Sequence, residues 1–401
     1  MSQCVLNIAF ISFEYPPDTG GGGIGTYIHQ VCSYLSSQGL SVSVFCGTAD
    51  NDYSYEVGNV RVFRISSSCF FEFRNKVVTH FTKVHRKNPF DIIESPDYGA
   101  DGYFIKLLYP SLPYIVKLHT PTYLIKKYNN YYIQYVLPNT PVSSLKEKIR
   151  RIFRKESFQS DIEYLNIKLA DKIISPSNAL AKRIIKDWNL KRSSISILPN
   201  LYIPSNSLLS IPLIYNHRRI TFIGKLSVLK GLIDFLTIIP TVLKSIPDLT
   251  FRFIGSDSFS PVHGTTMKDY ILKNCNQYKK SLHFIGKVPL TDIPKYLAET
   301  DILICNSLWE NYPNVILEAM SAGRVVIASR AGGIPEIITH KKNGLLMKTR
   351  SGKLIAKYIL SCYLNQNKML ELGINARHYA KSLHYSNMDS SNIVDSYNVK
   401  L

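Results

Sequence analysis

The 401 residues are 45% hydrophobic and 19% charged, which is enough chain for two domains with sizeable cores and excludes a single small domain. No apolar stretch reaches the roughly 18 residues needed to cross a bilayer, and the opening MSQCVLNIAF has neither a basic n-region nor a small-residue cleavage site, so the sequence predicts a cytoplasmic chain. Seven cysteines without any CxxC point to buried thiols rather than a disulfide framework or a zinc site, while a net charge of +19 predicts an anionic partner: nucleotide, acidic lipid or nucleic acid.

Apolar runs then alternate with helical patterns. Val5–Ser12 reads as a strand, about Thr26–Gln38 as a helix, and Ser41–Cys46, Asp91–Glu94 and Tyr114–His119 as further strands, the alternation of a doubly wound parallel sheet. Pro199–Arg219 is rich in Pro, Asn and Ser and lacks an amphipathic period. It reads as a break, with a linker over 201–219 between domains at 1–200 and 220–381. The rhythm restarts with Ile220–Ile223, Leu249–Ile254, Leu282–Ile285, Asp301–Cys305 and Val325–Ser329. No period of 20 to 50 residues repeats, which excludes a solenoid. The predicted fold class is α/β, with two Rossmann-like domains in series whose strand ends face a shared cleft, where ligands bind in such sheets.

Candidate site residues fall at strand ends. In EYPPDTGGGGIGTY (Glu14–Tyr27), Gly20, Gly22 and Gly25 match G-x-G-x-x-G, but Glu14–Thr19, with Pro16 and Pro17, separates them from the strand. That spacing is too long and stiff for a dinucleotide turn. It suits a lip, with Gly22 and Gly23, that lets backbone amides approach an anionic or sugar group; a flexible surface loop is the plainer alternative. In NSLWENYPNVILEAMSAG, Glu310 lies on the loop after a strand, Pro313 fits the first position of the next helix, Glu318 its second turn and Gly323 its stop. Free amides at that helix start, around Asn311, Tyr312, Pro313 and Asn314, suit a diphosphate. One carboxylate can then accept hydrogen bonds from ribose hydroxyls while the other faces a transferred group.

These pieces, with IVKLHTP (Ile115–Pro121), ISPSNAL (Ile174–Leu180), LPN (Leu198–Asn200), FIGKLSVLKG (Phe222–Gly231) and AGGIPE (Ala331–Glu336), resemble the family 4 retaining glycosyltransferases of the GT-B fold over nearly the whole chain. The resemblance implies that Glu310 lies near the donor sugar and that Glu318 binds the nucleotide ribose. It also implies that Lys225 and Lys230 hold the donor diphosphate, that His119 contacts the sugar, and that a segment over 382–401 returns to the N-terminal domain. Lys225 departs from the family's arginine and offers a point charge in place of a bidentate fork. IESPDYGADGY (Ile93–Tyr103) resembles the acceptor-side loop of such enzymes.

The resemblance thus implies transfer from a nucleotide sugar, a UDP-sugar first and GDP-mannose next, to a glycan or lipid-linked acceptor of bacterial surface polysaccharide or lipopolysaccharide. Catalysis would rest on Glu310, His119 and Lys230, with fixed cations stabilising the leaving diphosphate. No cofactor or metal is expected, since Asp50 and Asp52, the sole D-x-D, sit in a polar loop that reads as a turn. Ser143–Lys155 sets Leu145, Ile149, Ile152 and Phe153 on one side of a helix and Lys146, Lys148, Arg151 and Lys155 elsewhere. This is either a solvated surface helix or a contact to the anionic inner face of the membrane. No stacking module accompanies the charge, so nucleic acid is not an expected partner. A sugar-nucleotide epimerase of the same fold and a non-catalytic nucleotide-sugar sensor are the rival readings.

Overall fold

The computed structural model describes residues 5–19, 22–135, 158–262, 264–388 and 391–397. They form two compact units. Unit 1 comprises the described parts of Met1–Leu124, Ser143–Leu201 and Asp389–Leu401, and unit 2 those of Ile125–Val142 and Tyr202–Met388.

In unit 1, β1 (Asn7–Ile11), β2 (Ser41–Thr48), β3 (Tyr53–Val57), β4 (Val60–Ser66), β5 (Ile92–Pro96), β6 (Tyr114–Lys117), β7 (Lys172–Ser175) and β8 (Ile195–Ile197) make one sheet in the order β3-β4-β2-β1-β5-β6-β7-β8. All neighbours run parallel except β3 and β4. The central β1 is buried along its whole length, as a strand covered by helices on both faces must be. Helix Gly23–Ser37 packs Tyr27, Ile28, Val31, Cys32 and Leu35 into the same apolar cluster as Ile8 and Phe10. Helix Ser391–Tyr397 adds Ile393 and Tyr397 to that cluster.

In unit 2, β9 (Arg219–Ile223), β10 (Thr250–Ile254), β11 (Leu282–Gly286), β12 (Ile302–Cys305), β13 (Val325–Ser329) and β14 (Leu345–Met347) form a parallel sheet in the order β11-β10-β9-β12-β13-β14. The reversal of strand order lies between β9 and β12, the position where doubly wound sheets bind ligands beyond the strand ends.

The stretch expected as a linker is not one along most of its length. Tyr202, Leu208, Ile211 and Tyr215 are buried in unit 2, and the Tyr215 hydroxyl donates to the Gly323 carbonyl at 2.5 Å. Its polar residues face outward while scattered apolar ones pack, so no periodicity marks it. Pro313 precedes the helix Asn314–Ser321 as its N-cap instead of occupying its first turn, and Gly323, at φ +65°, ends it. The basic stretch with Lys146, Lys148, Arg151 and Lys155 lies outside the described residues.

Candidate active site

In unit 2 two loops are stitched together beyond the ends of β9 and β12. The Leu308 amide donates to the Leu229 carbonyl at 2.7 Å, and Asn306 Nδ2 donates to the Gly231 carbonyl at 2.7 Å and to Asp234 Oδ2 at 3.2 Å. Gly231 sits at φ +79°, and a Cβ there would lie 2.2 Å from the Asn306 carbonyl oxygen. Only glycine lets the loops approach this closely. Their junction sets Lys230 Nζ 2.5 Å from Glu310 Oε1, which also accepts from Ser307 Oγ at 2.7 Å. Burial works against the Lys230 charge, yet the Glu310 carboxylate outweighs it and holds the ammonium pKa above the ordinary lysine value. The AGGIPE stretch supports the carboxylate loop from behind, because the Gly333 amide donates to the Glu310 carbonyl at 2.9 Å.

Glu318 follows in the second turn of helix Asn314–Ser321. It is half-buried and accepts no hydrogen bond among the described residues, and burial lifts its pKa to about 7. Asn314 presents a buried Oδ1 with no partner among the described residues. A carboxylate and an amide oxygen without donors among the described residues, a helix start with free amides and a fixed ammonium are groups whose chemistry matches hydroxyl donors and an anion. Of the other expected donor contacts, Lys225 is exposed on the Lys230 loop, and Asn311 Oδ1 accepts from Trp309 Nε1 at 2.7 Å. Tyr312 is buried in an apolar cluster with Ile316 and Ile334. The structure therefore brings Lys230 and Glu310 into contact and gives Tyr312 a packing role.

The expected residues of unit 1 gather at the ends of β1, β5 and β6. Gly22 caps helix Gly23–Ser37 and lies against Glu14, whose Oε2 would be 3.1 Å from a Cβ at that position, while Gly23 faces open space. Burial raises the Glu14 pKa, partly offset by the Gly25 amide. His119 donates its backbone N–H to Asp97 Oδ1 at 2.6 Å, and its Nε2 is buried without a partner. Burial first and the neighbouring Lys117 second push its pKa down to about 3, so the imidazole is neutral at any ordinary pH.

Sequence reasoning missed the ionisable groups around it. Lys117 is buried, donates to the Leu198 carbonyl at 2.8 Å, and has its pKa lowered to about 8 by that burial, with Glu94 opposing. Asp97 and Asp101 are fully buried and raised to about 8, each with one unpartnered oxygen. The signal available was a lysine inside the otherwise apolar YIVKLH and two acids in SPDYGADG. Asp52, from the D-x-D, accepts the Ser66 amide at 2.7 Å and lies 3.3 Å from His80 Nε2. Among the described residues no three His, Cys, Asp or Glu side chains gather as a metal cluster would require.

A family model described as Glycosyltransferase Family 4 matches residues 21–202, and one described as Glycosyl transferases group 1 matches 217–365, so that between them they take in most of the chain. The chain belongs to the family 4 glycosyltransferases. This glycosyltransferase is 30% identical over 182 residues to spore coat protein SA of Bacillus subtilis, covering 42% of the chain but only 45% of that relative. It is 22% identical to an uncharacterised glycosyltransferase of Methanocaldococcus jannaschii, over 88% of the chain and 87% of the relative. Its fold is that of GT-B structures. Sucrose-phosphate synthase from Thermosynechococcus elongatus superposes with a TM-score of 0.73 at 20% identity, covering 98% of both chains. Anabaena HepE in complex with UDP-glucose gives 0.65 at 17%, covering 98% and 100%. WaaG, a glycosyltransferase involved in lipopolysaccharide biosynthesis, gives 0.65 at 15%, covering 96% and 99%.

Proposed function

We propose that this glycosyltransferase moves a sugar, with retained anomeric configuration, from a nucleotide-sugar donor to a glycan or lipid-linked acceptor. The reading rests on the Lys230–Glu310 contact of 2.5 Å beside the helix that carries the unpartnered Glu318. A diphosphate calls for cations and open amides, and a ribose calls for a carboxylate acceptor. The two stitched loops and the helix start of unit 2 offer all of these.

As the bond between sugar and phosphate breaks, negative charge grows on the leaving diphosphate, and Lys230 with Lys225 stabilises it in place of a metal. Glu310 is engaged by Lys230 and Ser307, an arrangement suited to orienting the ammonium and facing the sugar. Retention then follows from front-face attack, with the donor phosphate taking the acceptor's proton. His119, neutral and with a buried Nε2 that has no partner among the described residues, suits a sugar hydroxyl. The HepE complex favours a UDP-sugar, with GDP-mannose next. The likeness to WaaG favours bacterial surface polysaccharide or lipopolysaccharide as the product.

The setting we propose is cytoplasmic and peripheral at the inner face of the membrane. Among the described residues no helix is long and apolar enough to cross a bilayer, and the net charge of +19 favours an anionic lipid surface. A thermal-shift screen of nucleotide sugars tests the donor, since a ligand at 100 times its Kd stabilises by about 2.7 kcal/mol. Slow release of free sugar with retained configuration from the best donor separates transfer from epimerisation. A screen in which no nucleotide sugar raises Tm overturns the proposal.

A further inference from the structure

Unit 1 contains a buried chain of contacts that leads to His119 and whose other members the proposed reaction does not use. Glu94 is 2% exposed, and each of its carboxylate oxygens is taken by a phenol: Oε1 accepts from Tyr27 at 2.9 Å and Oε2 from Tyr397 at 2.6 Å. The Tyr27 ring lies edge to face with His119, centroids 5.7 Å apart, and Lys117 Nζ sits 4.8 Å from the same ring's centroid. Tyr397 is fixed in turn. Phe10 meets its ring at 6.1 Å, Ile393 shares its apolar cluster, and Lys172 Nζ donates to the Ser396 carbonyl at 2.8 Å.

We infer that Tyr397 is a positioning residue that sets the orientation of the His119 imidazole through Glu94 and Tyr27. The main chain of His119 is tied to Asp97, but its ring nitrogen Nε2 has no partner among the described residues, so the ring's orientation rests on what it packs against. The aromatic ring in contact with it is Tyr27, whose hydroxyl is fixed by Glu94. A buried carboxylate that loses one of two donors must swing toward another or take up a proton. Either response changes the partner of the Tyr27 hydroxyl and moves the ring in contact with His119. The inference rests on the proposed contact of His119 with the sugar only for its effect on turnover.

The test is NMR of the full chain with labelled histidine, with the ring signals of His119 assigned from His119→Gln. Tyr397→Phe should shift those signals, Tyr27→Phe should shift them as well, and the double variant should add little to Tyr27→Phe, because a Tyr27 ring without its hydroxyl is no longer coupled to the carboxylate that Tyr397 holds. Glu94→Gln, which keeps the shape but not both acceptors, should shift them in the same way and covers the case in which Tyr397→Phe fails to fold. Turnover of UDP-glucose by folded Tyr397→Phe should fall by about tenfold or more with KM unchanged. His119 signals that stay in place in folded Tyr397→Phe and Glu94→Gln overturn the inference. A wild type that ignores UDP-glucose counts against the donor reading alone, and the ring signals still decide this one.

Discussion

Donor affinity should depend on pH through Glu318. Without ligand its carboxyl has a pKa of about 7, because burial disfavours the charge and no described residue donates to it. Ribose hydroxyls donate, so they bind the ionised form and pull the pKa back toward the ordinary glutamate value of about 4.3. Below pH 7 the ligand-free site holds a proton that binding must release, so affinity falls as the pH falls. Between pH 8 and pH 6 the Kd for UDP-glucose should weaken by about tenfold, equivalent to about 1.4 kcal/mol. UDP-glucose is the right probe because its diphosphate is a diester with no second ionisation near neutrality. Calorimetry at pH 6 and 8, in two buffers of different ionisation enthalpy at pH 7, should also find roughly half a proton released per donor bound. Lys117, Asp97 and Asp101 also titrate at about 8. Glu318→Gln is therefore the control, and it should bind weakly with a flat profile. The same variant should be more stable than wild type without ligand. A carboxyl raised in the folded state contributes stability below its unfolded pKa and loses it as pH rises through 7. Glutamine escapes that loss at pH 8, by about 1–2 kcal/mol once the solvent reaching a half-buried group is allowed for. A Kd that is flat or tighter at pH 6, or a Glu318→Gln variant with the wild-type profile, would refute the reasoning.

Lys230→Ala should lower turnover by about 10² or more, because it removes charge stabilisation that grows in the transition state, and near-normal turnover at saturating donor would place the diphosphate elsewhere. Gly231→Ala should destabilise unit 2 by at least about 1–2 kcal/mol, the cost of φ +79° alone, before the 2.2 Å overlap with the Asn306 carbonyl is relieved; an unchanged Tm would contradict the stitched loops. The basic stretch should carry the protein to acidic vesicles at low salt and release it as the Debye length shrinks from about 10 Å at 0.1 M to about 3 Å at 1 M. In co-sedimentation, replacement of Lys148, Arg151 and Lys155 by Glu should abolish that binding, and continued sedimentation of the triple variant would reduce the stretch to a solvated surface.

The strands that the sequence makes legible are those buried on both faces, such as Ile302–Cys305 and Val325–Ser329, whose unbroken apolar runs leave no other reading. The β3–β4 hairpin was hidden because Tyr53–Val57 is mostly exposed, although Gly58 and Asn59 form the kind of two-residue turn that marks one. The same contrast separates the residues of unit 2 from those of unit 1. Lys230 and Glu310 lie 80 residues apart, yet each sits in a loop whose glycines, proline and strand ends form a local pattern, and the loops have one way to meet. Glu94 and Tyr397 lie 303 residues apart; Glu94 stands in the IESPDYGADGY stretch, which gives no sign of its partner, and Tyr397 stands in no local pattern. A glutamate in a strand and a tyrosine in a short helix acquire meaning only when the fold sets them 2.6 Å apart inside the core. A buried charge is costly without partners, so every one that the fold retains must be accounted for by what it holds. In unit 1 Glu94 holds the Tyr27 hydroxyl, Lys117 lies over the Tyr27 ring, and that ring meets His119. The histidine that motif reasoning assigns to the sugar is thus oriented through contacts that no motif spells out, the last of them from Tyr397, which lies in no motif at all.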